Sequence, residues 1–188
     1  MQFHLNGFTT GDPEVLKQTE DAAYLANTDT LPEEVDVLIA GCGPAGLALA
    51  AQLSKFPDIK TRIVEPKEGP LTHGQADGIA CRTMEMFQAF NFAEKIAKEA
   101  CWISEVTFWK PDEADRTKIT RGDRIQDVED GLSEFPHVVL NQARVHDNYL
   151  DVMLNSPNRL VPNYSRKVTD VKVVNGGSND AYPVTVTL

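Results

Sequence analysis

Six consecutive residues, Gly41-Cys42-Gly43-Pro44-Ala45-Gly46, and an acid 19 positions further on, Glu65, carry the chemistry most readily read from this sequence. The glycines have the GxGxxG spacing of a loop that admits a pyrophosphate. Gly41 suits a tight turn, Gly43 lets an anion reach the backbone, and Gly46 lets a following helix lie close to the preceding strand. The N-terminus of that helix offers free N–H groups and the positive end of its dipole. A carboxylate at the distance of Glu65 suits the hydroxyls of an adenosine ribose. It favours an unphosphorylated ribose, so the expected dinucleotide is FAD or NAD rather than NADP, and the spacing does not separate the two. Cys42 fills a place that needs a small residue, not a reactive thiol. The competing reading is a glycine-rich turn that holds no ligand.

These residues need a strand before them, a helix after them and a second strand under Glu65. Residues 35–40 are a β-branched apolar run, as in a strand buried on both faces of a parallel sheet. Residues 47–53 read as a helix of small residues and 61–65 as a second strand. The whole is a βαβ unit of ~30 residues. Ahead of it, residues 1–33 form a polar leader arm, with a short helix expected at Pro13-Glu14. Beyond it, helices are expected over 82–90 and 92–100, with Asn91 and Glu94 at capping-box spacing. Residues 103–109 alternate as a strand with one irregular step, and 111–130 form a charged hairpin or loop. Residues 135–140 suggest a strand, followed by a helix over 142–155 with Val145, Tyr149, Val152 and Met153 on one stripe. Two last strands, 167–174 and 183–188, are joined by a hairpin loop at 175–180. The expected class is α/β: a Rossmann-like dinucleotide-binding domain over 34–188, with part of an associated β-sheet.

Composition narrows the partners. Eighteen Lys and Arg against 28 Asp and Glu give 188 residues a net charge of −10. That balance argues against a nucleic-acid or anionic-membrane platform, which needs a basic stripe. The uncharged stretch that begins at Val37 is broken by three glycines and a proline and falls short of a span of ~20 residues. Cys42, Cys81 and Cys101 are odd in number and lack CxxC spacing, against a zinc ribbon or disulfide framework. No metal is expected, and the expected location is the cytoplasm. His4 and His146 read as surface residues, and Trp102 and Trp109 as core or hairpin packing.

Further along, His73-Gly74-Gln75-Ala76-Asp77-Gly78-Ile79-Ala80-Cys81-Arg82-Thr83-Met84-Glu85 resembles the second signature of the FAD-dependent aromatic hydroxylases, the phenol 2-monooxygenase group. Val139-Leu140-Asn141-Gln142-Ala143-Arg144 resembles the Leu-x-Gln-x-Arg segment of the same group. The resemblance runs from Met1-Gln2-Phe3-His4-Leu5-Asn6-Gly7-Phe8 through Cys101-Trp102 and Phe108-Trp109-Lys110-Pro111 to the closing Val184-Thr185-Val186-Thr187-Leu188. It implies an enzyme in which FAD, reduced by NADPH, uses dioxygen to hydroxylate a small phenol such as 3-hydroxybenzoate. It also implies a homodimer in the full-length form.

By this resemblance Gly41, Gly43, Pro44, Ala45 and Gly46 hold the pyrophosphate and Glu65 the ribose, with Pro66 and Lys67 on the adenosine side. Pro66 stands where the family often has a basic residue. His73, Gly74, Gln75, Ala76, Asp77 and Gly78 match the loop beside the ribityl chain and flavin, and Gln142 a ribityl or phosphate contact. Asp77 aligns with the catalytic acid. A phenolate is hydroxylated faster than a phenol, and a phenol of pKa ~10 needs a hydrogen-bonded acceptor to ionise near neutrality. An Asp before Gly is also an ordinary turn residue. His137 reads as a structural histidine from its surroundings and, by resemblance, as a polar contact to a substrate carboxylate. Arg82 fits a flavin-side cation and a helix-start salt bridge equally.

Two further flavin motifs of the group, an Asp-Gly and a Gly-Asp segment in their proper context, are absent. The expectation is therefore an N-terminal portion of the enzyme, inactive alone. The alternatives are a non-catalytic nucleotide-binding fragment and an NAD-linked Rossmann oxidoreductase, which leaves Gln75-Ala76-Asp77-Gly78 unexplained.

Overall fold

The β-branched run after Asp36 forms a parallel pair with the Thr61–Val64 segment in the computed structural model, which describes residues 30–173 and 182–188. The described chain falls into two units. One holds residues 30–73 with 143–188, the other Gly74–Gln142. The leader's expected helix, His4 and the loop at 175–180 lie outside the described residues.

In the first unit, β1 (Val37–Ala40) leads through the glycine turn into α1 (Pro44–Leu53) and back to β2 (Thr61–Val64), with Val37 opposite Thr61 and Ala40 opposite Val64. Pro44 opens α1, where its missing N–H costs nothing and its fixed φ suits the first turn. The helix begins three residues earlier than its apolar pattern suggests. Leu47, Ala50 and Ala51 are its buried face. The small alanines allow close approach, and burying Leu47 contributes roughly 1.5–3 kcal/mol. Beyond β2, Asn163 extends the pairing: its N–H donates to the Ile63 carbonyl at 2.9 Å, and its carbonyl accepts from Glu65 N–H at 3.0 Å. Glu65 is thereby fixed by backbone on a side that the sequence does not announce. Helix α4 (Gln142–Leu154) buries Val145, Tyr149 and Met153 of the expected stripe. The unit closes with β8 (Asp170–Val173) antiparallel to β9 (Val184–Thr187).

His146 corrects the reading of a surface residue: it is 4 % exposed on α4. Burial first holds its pKa below the ordinary 6.5, against the opposing pull of Asp147 and Glu65. The unfolded chain takes up a proton near 6.5 and the folded chain only at lower pH. The histidine's contribution to stability is therefore complete above about pH 6.5 and is lost as the pH falls toward the folded value. His146→Gln is expected to flatten the fall in urea midpoint between about pH 6.5 and 5.5 relative to wild type; identical slopes would count against a buried neutral ring.

In the second unit, β3 (Gly78–Ile79) and β4 (Cys101–Ile103) flank β7 (His137–Val139), both antiparallel to it. Helices α2 (Cys81–Ala89) and α3 (Ala93–Glu99) contribute Met84, Phe87, Ala93 and Ile96 to the core, which also holds Val138 and Phe92. The expected capping box does not form, for Phe92 is the N-cap of α3 and no side chain caps it. Asn91 instead ends α2 in the left-handed region, at φ 64°. Asn91 N–H donates to the Gln88 carbonyl at 3.0 Å and Phe92 N–H to the Phe87 carbonyl at 3.1 Å. This is a Schellman closure, and its usual apolar contact is the Phe87–Phe92 ring pair at 4.7 Å.

The segment read as one strand over 103–109 is two, broken at Ser104, and the charged stretch is a hairpin. β5 (Glu105–Pro111) pairs with β6 (Ile119–Gln126), with a register shift between Thr107 and Trp109. No third strand covers this ribbon among the described residues. Of the two readings of the tryptophans core packing is overturned, with Trp102 on β4 61 % and Trp109 64 % exposed, while Trp109 does lie in the hairpin. Trp102 is held instead by its indole N–H, which donates to the Ala97 carbonyl at 3.0 Å. Among the described residues no helix is long and apolar enough to cross a membrane, and no group of side chains is arranged to hold a metal.

Candidate functional site: a nucleotide cradle and a flavin-side loop

The glycine turn has the shape that its spacing requires. Gly41 takes φ +104°, and its N–H donates to the Val64 carbonyl at 2.7 Å, which closes the turn onto β2. A Cβ on Gly41 or Gly43 would meet nothing within 4 Å, so open space lies over both. Gly46 is the opposite case: its Cβ would meet the Gly41 carbonyl oxygen at 2.1 Å. The helix lies that close to the turn only because Gly46 lacks a side chain. Gly43 is the N-cap of α1, and no side chain caps the helix. Its first N–H groups, those of Ala45 and Gly46 included, are the ones that have no partner within a helix. An uncapped helix N-terminus beneath open space fits a pyrophosphate.

Glu65 reaches back over the same turn. Its Oε2 accepts from Cys42 N–H at 2.8 Å, and its Oε1 accepts from Lys67 N–H at 3.2 Å. Each carboxylate oxygen has a second acceptor position, so both keep capacity for a ribose hydroxyl. Lys67 thus serves Glu65 through its backbone, while Pro66 is exposed and donates nothing. Burial first, and the Glu65 carboxylate second, push the Cys42 thiol up to about 12. Cys42 is therefore a neutral, space-filling residue, as the sequence suggests. Burial also drives the Tyr164 hydroxyl well above its ordinary 10, with Cys42, Glu65 and Asp147 adding to the shift, so it remains a neutral phenol. His73 is exposed, with Nδ1 3.0 Å from Thr72 Oγ1.

The second unit brings together most of the remaining candidates. A Cβ on Gly74 would meet Gln142 Cβ at 2.3 Å, so the loop runs against the first residue of α4. Gln75 N–H donates to Gln142 Oε1 at 3.0 Å. Gln142 keeps its amide NH2 as a donor, which suits a phosphate or ribityl hydroxyl. Ala76 and Asp77 are exposed, and the Asp77 carbonyl accepts from Leu140 N–H at 2.9 Å. His137 Nδ1 lies 2.8 Å from Asp127 Oδ2. Arg82 forms a salt bridge at the start of α2, with Nη1 2.7 Å from Glu85 Oε2. Asp127 and Asn163 are the residues that sequence reasoning passed over. Asp127 is one acid among many in a charged stretch, and Asn163 acts through its backbone.

A parallel βαβ with an uncapped glycine turn and a carboxylate over it defines a dinucleotide-binding α/β protein. The chain belongs to the FAD binding domain family, whose model matches residues 34–153. This assigns FAD where the spacing alone left FAD and NAD open. Over all 188 residues the chain is 65 % identical to the 3-hydroxybenzoate 4-monooxygenase of Comamonas testosteroni, covering 29 % of that protein. It is 38 % identical over 159 residues to the FAD-dependent monooxygenase terD of Aspergillus terreus, covering 83 % of this chain and 26 % of that one. The crystal structure of the flavin-dependent monooxygenase PieE in complex with FAD and substrate matches with a TM-score of 0.63. That match has 20 % identity over 83 % of this chain and 27 % of PieE, and is a likeness of fold. The chain thus spans under a third of the length of these relatives.

Proposed function

We propose that this chain is the FAD-binding portion of a monooxygenase that converts 3-hydroxybenzoate to 3,4-dihydroxybenzoate with NADPH and dioxygen. The observation that carries the proposal is the 65 % identity over the whole chain to a 3-hydroxybenzoate 4-monooxygenase. It is joined by a turn, helix end and carboxylate of the right shape for a dinucleotide. Activity belongs to a protein of the relatives' length, and the 188-residue chain by itself is inactive. Residues 34–188 form part of the FAD-binding domain.

When bound, FAD supplies reduction by NADPH and activation of dioxygen. The chain's own residues bind and orient. Gly41, Gly43, Pro44, Ala45 and Gly46 present backbone to the pyrophosphate, and Glu65 accepts the ribose hydroxyls. Gly74, Gln75 and Gln142 line the flavin side. Asp77 accepts the phenolic proton of the substrate, and His137 meets its carboxylate. Glu65 disfavours a 2′-phosphate at this turn, which supports NADPH reacting from elsewhere. The acidic composition and free cysteines support a cytoplasmic enzyme of aromatic breakdown. The family resemblance supports a homodimer.

Titration of the purified longer protein with FAD tests the cofactor assignment. Saturable binding with the visible spectrum of a protein-bound flavin, and no displacement by excess NAD, is the expected result. Binding of NAD in place of FAD would overturn it.

A further inference from the structure

The hairpin delivers an acid to β7 that the mechanism above does not use. Asp127 follows the last residue of β6, and its N–H donates to the Ser104 carbonyl at 3.0 Å, between β4 and β5. Its side chain is 16 % exposed and that of His137 31 %, with Oδ2 and Nδ1 at 2.8 Å. An ionised carboxylate only accepts, so Nδ1 carries the hydrogen. Nε2 is then an acceptor in the neutral ring and a donor in the charged one. The Nε2 end faces β3: a Cβ built on Gly78 would stand 3.5 Å from it. Gly78 pairs with Val139 and directly follows Asp77, whose carbonyl is bonded to Leu140 N–H. Sheet pairing thus fixes the backbone that carries Asp77 beside the histidine, and only the ring's orientation remains to be set.

We propose that Asp127 is a positioning residue for His137, holding the imidazole with Nε2 toward the Asp77–Gly78 edge, where it receives the carboxylate of the aromatic acid. The dyad rests on this structure, and the identity of its ligand on the function proposed above. Asp127 orients the ring through Nδ1–H, and in the protonated ring the Nε2–H so aimed is the donor that an anionic substrate needs. The carboxylate touches no substrate itself, and its effect passes through His137.

The test has two arms. In the flavin-loaded longer protein, Asp127→Ala is expected to raise KM for 3-hydroxybenzoate about tenfold, the scale of a hydrogen bond to a charged group. FAD content stays at the wild-type level and kcat within about twofold. Asp127→Asn keeps an acceptor of the same shape and is expected to recover part of that loss. In a His137→Gln background Asp127→Ala is expected to add nothing, because the pair acts as one unit. An unchanged KM, or an equal rise with and without His137, would overturn the proposal. In the 188-residue chain, long-range 1H–15N spectra are expected to show His137 protonated on Nδ1, and a shift toward the Nε2–H form in Asp127→Ala. The same tautomer in both proteins would also overturn it. If the longer protein fails to hydroxylate 3-hydroxybenzoate, the functional reading falls, and the tautomer arm still decides the dyad.

Discussion

Gly46→Ala is expected to lower FAD affinity about 100-fold, or about 3 kcal/mol, and to lower the melting temperature as well. The added methyl would stand 2.1 Å from the Gly41 carbonyl oxygen, 3.2 Å from Gly41 C and 3.4 Å from Ile39 Cγ2. Its wall is backbone, which cannot turn aside as a side chain would. The N-terminus of α1 must move away from the turn, and overpacking of this kind costs about 1–3 kcal/mol. The same displacement misplaces the N–H groups aimed at the pyrophosphate. Gly43→Ala provides the contrast. Nothing lies within 4 Å of its added Cβ, and φ there is −70°. The folded protein accommodates it for less than about 1 kcal/mol, but the methyl enters the space over the helix end. Gly43→Ala should therefore weaken FAD with an almost unchanged melting temperature. Calorimetric unfolding beside FAD titration measures both, and equal loss of stability in the two variants would contradict the close-approach argument.

Asp77→Asn is expected to retain FAD and to slow hydroxylation by about 10²–10⁴-fold, the usual worth of a positioned acid or base. The side chain is exposed, while the backbone is held by the Leu140 N–H bond and by Gly78 in β3. Asparagine keeps the shape and turn propensity of aspartate, so the loop survives and only the proton acceptor is lost. A phenol of pKa ~10 then reaches the reactive phenolate far less often at neutral pH. NADPH oxidation without product formation becomes the larger flux. Rapid-mixing measurement of product formation against NADPH consumption checks this. A wild-type hydroxylation rate, or loss of FAD with no specific loss of hydroxylation, would reduce Asp77 to a turn residue.

The nucleotide half of the site was legible because its signals are local. A β-branched run, three glycines, small helix residues and an acid at a fixed interval lie within one stretch of chain. The structure closes them as Gly41 on Val64 and Glu65 on Cys42. The misread residues all depend on what packs against them. His146 lies three residues before Tyr149 and seven before Met153, so it shares their helical stripe. Its polarity hid a position that its spacing placed in the core. Asn91 has capping-box spacing to the helix ahead, but the αL preference of Asn suits the end of the helix behind, where it sits at φ 64°. Trp102 and Trp109 read as core or hairpin packing; Trp109 lies in the hairpin, and the two-stranded β5–β6 ribbon gives it no covering layer among the described residues. Asp127 had no signal at all. It differs from neighbours such as Asp123 and Asp130 only in lying where the end of β6 passes His137.

Product analysis of the longer protein with NADPH, dioxygen and 3-hydroxybenzoate tests the central claim most directly. The account predicts 3,4-dihydroxybenzoate formed in step with NADPH oxidation, by a protein carrying FAD, with none formed by the 188-residue chain. A flavin-loaded longer protein that oxidises NADPH but forms no dihydroxybenzoate, or forms it equally well as Asp77→Asn, would contradict the account.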